Sequence, residues 1–315
     1  MKRVLVSVVI ALYNEADNIP ILIEKSAAAL QPLDYELILV DDGSTDGSAA
    51  IIKKHLQADM KLIVLMKNYG QSAAMAAGIN VARGEFIATM DADLQNDPTD
   101  IPVMLAKLRA EDHELVAGIR ANRQDNWLRK VPSRIANKII RSTTGVTLHD
   151  YGCTLKVFRQ EIAKSLGLYG DMHRFIPVLA AIQGARMSEM PVKHHPRIHG
   201  KSKYGIGRTT KVLSDLLLIL FIQKYFQRPM HLFGPIGLLL FFSGVIINGY
   251  LLVDKMLGAE IGGRPLLILG VILLLAGLQL ILFGFVAEIM MRTYYESQNK
   301  KAFRIRSVTE YHNEP

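Results

Sequence analysis

The sequence predicts an α/β domain, a mostly parallel sheet with helices on both faces, followed by a membrane-spanning part. Three observations predict it. Four continuous apolar runs, Val4–Leu12, Tyr35–Val40, Leu62–Met66 and Phe86–Met90, alternate with stretches of helical spacing at Ile19–Leu30, Ser48–Leu56 and Ser72–Val81. Runs that are continuous rather than alternating mark strands buried on both faces, as in a parallel sheet with crossover helices. Each run ends in a polar cluster, and from Val212 onward the chain becomes strongly apolar, which raises the mean hydropathy to +0.20.

The first run follows Met1-Lys2-Arg3 and so imitates a short signal peptide, but no small-residue cleavage site follows it and Asn14-Glu15-Ala16-Asp17 comes at once. It reads as the first buried strand. The clusters closing the four runs are Tyr13-Asn14-Glu15, Asp41-Asp42-Gly43-Ser44, Lys67-Asn68-Tyr69-Gly70-Gln71 and Asp91-Ala92-Asp93. Any one of them is also what a tight turn or a capped helix needs. Four in register are a stronger signal, because ligands of an open parallel sheet bind outside the carboxyl ends of its strands. Asp91 and Asp93, with Gln95 beyond them, offer hard oxygen donors of the kind that hold a divalent cation with open positions for phosphate oxygens. Neither G-x-G-x-x-G nor G-x-x-x-x-G-K-[ST] is present, which disfavours a dinucleotide fold and a P-loop and leaves a nucleotide held by carboxylates and a metal.

Leu115–Ala117 reads as a further strand. From Arg120 to Arg141 there are then seven Lys/Arg against the single acid Asp125. Later members at helical spacing suit a solvated helix face, while Arg120 and Arg129 lie nearest the ligand edge and suit a diphosphate. Asp150 follows in a turn, His149-Asp150-Tyr151-Gly152-Cys153, before the apolar Thr154–Phe158. Cys153 is the only cysteine, which excludes an intramolecular disulfide and a cysteine-based zinc site; it reads as a small buried hydrophobe. A second basic block, Lys193–Lys211, has six Lys/Arg, three histidines and no acid. His194, His195 and His199 lack a supporting carboxylate or cysteine, so they do not read as a metal site. Gly200 and Gly205 give this block the character of a loop that can close on a substrate.

Leu213–Phe226 is apolar but short for a span and reads as an interfacial helix. Residues 232–253 and 265–287 are uncharged runs of 22 and 23 residues, each long enough to cross a bilayer. The connector Asp254–Arg264 is balanced in charge, whereas Lys224, Arg228, Arg292, Lys300, Lys301, Arg304 and Arg306 flank the other side, which places both termini in the cytoplasm. Gln279, inside the second span, suits a helix–helix hydrogen bond rather than a transport role. The expected organisation is a cytoplasmic domain over residues 1–210, a juxtamembrane helix over 211–230, a two-helix membrane domain over 231–288 and a cytoplasmic tail over 289–315. The net charge of +8 then faces anionic lipid or a phosphorylated substrate rather than nucleic acid.

Tyr13-Asn14-Glu15, Val40-Asp41-Asp42-Gly43-Ser44, Asn68-Tyr69-Gly70-Gln71, Met90-Asp91-Ala92-Asp93-Leu94-Gln95 and Gly200-Lys201-Ser202-Lys203-Tyr204 together resemble the inverting family 2 glycosyltransferases. Within that family they look like the polyprenyl-phosphate branch that includes dolichol-phosphate mannose synthase. Asn122-Arg123-Gln124-Asp125-Asn126-Trp127 and Asp150-Tyr151-Gly152-Cys153 look most like the undecaprenyl-phosphate formamido-arabinose transferases, with bactoprenol glucosyltransferases also similar. The resemblance implies a GT-A, Rossmann-like catalytic domain that transfers a sugar from a nucleotide-sugar, expected to be a UDP-sugar, to polyprenyl phosphate at the cytoplasmic face of the inner membrane. It implies a nucleotide-sugar site formed by Tyr13, Glu15, Asp42, Lys67, Gly70, Gln71, Asp91 and Ala92, with Asp42 on the base. Mg²⁺ or Mn²⁺ would be surrounded by Asp91, Asp93 and Gln95, with Asp150 beside the reaction. Arg120, Arg129, Ser133, Arg197 and Lys203 would contact phosphates. His199, which stands where some relatives have a second arginine, would make that contact pH-sensitive. A homo-oligomer, a tetramer by resemblance, is also implied.

Two further readings use the same residues. A processive polysaccharide synthase shares such a domain but carries Q-x-x-R-W, and the only tryptophan here, Trp127, lacks the preceding arginine. A membrane-anchored nucleotide-sugar binding subunit would not need both basic blocks and an intact acidic triplet.

Overall fold

The computed structural model describes residues 4–120, 141, 145–168, 170, 172–198, 218, 221, 224–225 and 228–297. The chain folds as two compact units, Met1–Asp215 and Leu216–Pro315.

In the first unit the four apolar runs form β1 (Val6–Leu12), β2 (Tyr35–Asp41), β3 (Met60–Val64) and β4 (Phe86–Asp91). Between them lie α1 (Ile19–Leu30), α2 (Ser48–Lys54) and α3 (Gln71–Val81). Every residue of β1 is buried, which is why its sequence does not alternate. The remaining elements are α4 (Asp100–Ala110), β5 (Leu115–Arg120), β6 (Lys156–Arg159), α5 (Gln160–Ser165), a 3₁₀ turn (Met172–Phe175), α6 (Ile176–Ile182) and β7 (Met187–Val192).

Among the described residues the strands form one seven-stranded sheet in the order β3-β2-β1-β4-β6-β5-β7. β6 runs antiparallel to β4 and β5, and every other pairing is parallel. From β1 the chain winds outward through β2 to β3, then returns to place β4 on the other side of β1. The crevice that this reversal opens lies beyond Leu12 and Asp91, at the carboxyl ends of β1 and β4. At the opposite end of the sheet the buried Glu36 accepts hydrogen bonds from Ser7 Oγ (2.6 Å), Lys61 Nζ (2.7 Å) and the Arg83 amide (2.7 Å). These bonds outweigh burial and hold the Glu36 carboxyl below the usual range.

Several elements differ from the sequence expectation. β5 continues three residues past Ala117, as far as Arg120, paired to β7 in parallel. β7 escapes a search for apolar runs because Ser188, Glu189 and Pro191 interrupt it; a half-exposed edge strand tolerates all three. α5 also lacks a continuous apolar stretch, whereas α6 is apolar throughout and was not assigned from the sequence. The expected interfacial helix, Leu213–Phe226, lies largely outside the described residues.

The second unit is a helical hairpin of α7 (Met230–Met256) and α8 (Pro265–Ser297). Apolar segments Met230–Met256 and Pro265–Met291 have mean hydropathy of 2.2 and 2.9 and the length of candidate membrane spans. Their two axes approach through glycine. A Cβ at Gly237 would lie 2.9 Å from the Gly277 carbonyl oxygen, and one at Gly244 would lie 2.7 Å from that of Gly270. Gln279 lies on the exposed face of α8, away from this contact. The small residues let the backbones meet.

Candidate active site

Consecutive residues after β3 tie three parts of the crevice together. The amides of Tyr69 and Gly70 donate to the two oxygens of Asp42 at 2.7 and 2.9 Å. Gln71 Nε2 donates to Asp91 Oδ1 at 2.6 Å. Ser72 Oγ lies 2.9 Å from His173 Nδ1 and accepts the His173 amide at 3.0 Å. The turn that makes this possible demands glycine at two places. Gly70 has φ +95°, and Gly43 has φ +71° with no room for a Cβ, which would lie 2.5 Å from the Lys67 carbonyl carbon.

The first two clusters are joined in the same way. The Asn14 amide donates to Ser44 Oγ (2.8 Å), and Asn14 Oδ1 accepts the Thr45 amide (2.8 Å), which fixes Asn14 at φ 52° in a conformation that asparagine tolerates. The acidic loop holds a less tolerant residue, Leu94, at φ 60°. Leu94 is kept there by its own burial and by the Gln95 amide, which donates to Asp93 Oδ1 at 3.1 Å.

Residues after β7 run antiparallel to this loop. Asn96 bridges to His194, the His195 amide donates to the Gln95 carbonyl at 2.8 Å, and the Lys193 amide donates to Asp100 at 2.7 Å. This pairing brings Arg197 Nη2 to 2.6 Å from Asp93 Oδ2. A residue from the second basic block therefore reaches the first acidic loop.

Together these segments wall a cavity of about 370 Å³. Tyr13, Glu15, Asp42, Gly70, Gln71, Asp91, Ala92, Asp93 and Arg197 line it. Asn68, His173 and Arg174 line it too. Burial and the charge of Asp93 push the Asp91 carboxyl well above the usual carboxylate range. Two acids in one cavity, with the charged form of Asp91 disfavoured, fit a divalent cation, which would favour that form. Among the described residues no group of three or more His, Cys, Asp or Glu is assembled to hold a metal, so such an ion would rely on Asp91, Asp93 and substrate oxygens.

Other expected site residues stand outside the cavity walls. Lys67 is exposed, its ammonium 5.2 Å from the Tyr69 ring centroid. The Gln95 side-chain amide points to the His195 carbonyl at 3.5 Å. Arg120 and Asp150 pair with each other, Nε to Oδ2 and Nη2 to Oδ1 both at 2.7 Å. Against burial, this pairing holds the Asp150 carboxyl below its usual range. His195 Nε2 lies 3.1 Å from Asp97 Oδ2. Arg129, Ser133, His199 and Lys203 lie outside the described residues.

Sequence reasoning missed Ser72, His173, Arg174 and Lys156. Lys156 is fully buried on β6 opposite Thr89 of β4, donates from Nζ to the Cys153 carbonyl, and has its pKa lowered by burial. Cys153 is buried with its thiol pushed up to about 11, an inert hydrophobe as expected. Lys156 sits in what reads as an apolar run, and His173-Arg174 in a stretch with no strand or helix period. The only signal was the presence of charge where burial was expected.

Comparison with known proteins is consistent with this arrangement. The chain is 47% identical over 311 residues to dodecaprenyl-phosphate galacturonate synthase of Rhizobium johnstonii, covering 96% of this chain and 92% of that one. It is 35% identical over 309 residues to undecaprenyl-phosphate 4-deoxy-4-formamido-L-arabinose transferase of Edwardsiella ictaluri, covering 96% and 94%. Glucosyl-3-phosphoglycerate synthase of Mycobacterium tuberculosis, in a complex with Mn²⁺, uridine diphosphate and glucosyl-3-phosphoglycerate, shares the GT-A-like fold at a TM-score of 0.53 and 16% identity, over 70% of this chain and 80% of that one. The family model described as glycosyl transferase family 2 matches residues 7–167, the stretch that supplies β1 to β6 and both aspartates of the acidic loop. With the cavity at the sheet reversal and near full-length relatives, the chain belongs to glycosyl transferase family 2.

Proposed function

We propose that the protein transfers one sugar from a nucleotide-sugar, a UDP-sugar, to a polyprenyl phosphate at the cytoplasmic face of a membrane. The observation that carries this reading is the Asp91–Asp93 pair, joined by Arg197, in one cavity at the carboxyl edge of β1 and β4. Relatives that act on dodecaprenyl and undecaprenyl phosphate support the acceptor, and the apolar hairpin supports a lipid one.

Asp42 and the turn around Gly70 would hold the nucleoside, and Gln71 and Arg197 the diphosphate region. Asp91 and Asp93 would hold Mg²⁺ or Mn²⁺, which when bound supplies positive charge to the diphosphate. A phosphate monoester has a second pKa of about 6, so the acceptor oxygen is already anionic at neutral pH and needs no strong base. That suits Asp150, whose carboxylate is committed to Arg120. The acceptor oxygen attacks the anomeric carbon as the bond from that carbon to the diphosphate oxygen breaks. The bonding pair leaves with the nucleoside diphosphate, and the centre inverts. Arg197 lowers the cost of bringing two anions together, and Arg129 and Lys203 are proposed to assist it.

The test supplies membranes containing the protein with polyprenyl phosphate and a panel of labelled nucleotide-sugars. Label should enter a lipid phosphodiester, and Asp93→Asn or chelation should abolish entry while leaving membrane insertion intact. Near-normal turnover by Asp93→Asn would refute the metal assignment.

A further inference from the structure

We infer that Thr154 and Asn96 are positioning residues for the divalent cation: the Asn96 amide turns the Thr154 hydroxyl onto Asp91, and that bond sets the plane in which the Asp91 carboxylate meets the ion. This deepens the cation assignment of the preceding section and rests on it.

Asp91 closes β4, and Gln71 Nε2 donates to its Oδ1 at 2.6 Å. A single donor leaves a carboxylate broad freedom to turn about its last side-chain bond. The Thr154 side chain supplies a second hydrogen bond to Asp91. Lys156 and Arg120 act on Asp91 through charge, which favours the ionised form but selects no plane. Thr154 alone therefore adds direction to what Gln71 begins. It stands just before β6, the antiparallel neighbour of β4, in what reads from the sequence as the start of an apolar run.

Thr154 is itself held from both ends. Its carbonyl accepts Thr89 Oγ1 at 2.8 Å, from the β4 residue two positions before Asp91 and so on the same face of the strand. Its Oγ1 accepts Asn96 Nδ2 at 2.9 Å. A hydroxyl has one proton, and an ionised carboxylate can only accept. With the Asn96 amide donating, the Thr154 proton is left for Asp91 and the direction of the bond is fixed. Asn96 is buried in the acidic loop and its backbone is bridged to His194, so the amide that sets this direction is anchored in turn. Its Oδ1 is buried and makes no hydrogen bond among the described residues, so the bond to Thr154 is the contact this side chain is kept for. Carboxylates that ligate metals are themselves hydrogen-bonded, and losing such a partner lowers metal affinity or activity by about 10- to 100-fold.

The experiment titrates Mn²⁺ into the full-length protein in nanodiscs and follows binding of labelled UDP, reading the Mn²⁺ concentration at half-saturation and the UDP affinity in chelator. Thr154→Val keeps the shape and deletes the hydroxyl. It should raise the Mn²⁺ midpoint roughly tenfold or more and leave UDP affinity in chelator unchanged. Thr154→Ser, which restores the hydroxyl, should bring the midpoint back close to that of the parent. Asn96→Ala, which frees the hydroxyl to turn, should raise the midpoint too, and it carries the test if the valine variant does not fold. An unmoved midpoint in Thr154→Val, or in Asn96→Ala where that variant carries the test, would overturn the inference. So would an equal rise in Thr154→Ser, or a matching loss of UDP affinity in chelator, since either would show that Thr154 only packs. Asp93→Asn separates this inference from the cation assignment. Parent UDP binding that ignores Mn²⁺, or an Mn²⁺ dependence that survives Asp93→Asn, would overturn the cation assignment and this inference with it. An Mn²⁺ dependence lost in Asp93→Asn but unmoved in Thr154→Val would overturn this inference alone.

Discussion

Arg120 and Asp150 are largely buried and share two hydrogen bonds of 2.7 Å, so neither can lose its partner without leaving an uncompensated charge. Arg120→Ala should destabilise the protein by about 3 kcal/mol, measurable by chemical denaturation in detergent. A value near zero would show that the pair is solvated. Glu36 makes a second test, of pH dependence. Its carboxyl is held below the ordinary glutamate value, so its contribution to stability is present above roughly pH 4.3 and is lost as the pH falls through its lowered folded value. Glu36→Gln should therefore be less stable than the parent at neutral pH and approach it in acid. An unchanged gap between the two across that range would contradict the assignment. At this scale the strand-end residues were legible because a parallel sheet gathers strand ends whatever its loops do. Arg174 and Lys156 were not legible. Their places depend on Ser72 and on the antiparallel insertion of β6, which local composition does not encode.

The acidic loop and the segment after β7 act as one element, held by the pairing of Asn96 with His194 and of Gln95 with His195. It delivers Arg197, the one member of the second basic block seen at the cavity among the described residues. Arg197→Ala should lower turnover roughly tenfold or more, if one charge-assisted contact is lost in the transition state. Neutral substitution of Lys300 or Lys301 should matter much less, and equal losses would mean that only bulk membrane charge is sensed. In the hairpin, Gly277→Leu should separate α7 from α8, because even a Cβ there would lie 2.4 Å from the Phe241 backbone nitrogen. Cross-linking of cysteines placed on the two helices would report the change, and unaltered cross-linking would refute the close glycine contact. Both long apolar helices and β1 to β4 were legible from uninterrupted apolar stretches. β7 was not, because its place is set by parallel pairing to β5 and not by its own apolarity.

For the whole molecule, the proposal is a cytoplasmic catalytic unit carried by a two-span anchor. The balanced connector Asp254–Arg264, with Arg264 paired to Asp254 at 2.8 Å, and the basic flanks on the other side predict that a reporter inserted near Gly258 faces away from the cytoplasm. Cytoplasmic labelling there would overturn that topology. The most direct test of the central claim is the mass of the lipid product formed by purified protein from a labelled nucleotide-sugar and polyprenyl phosphate. The expected product is one sugar joined to one lipid phosphate, with release of one nucleoside diphosphate and with the anomeric centre inverted. A polymer, or donor cleavage with no lipid product, would contradict it.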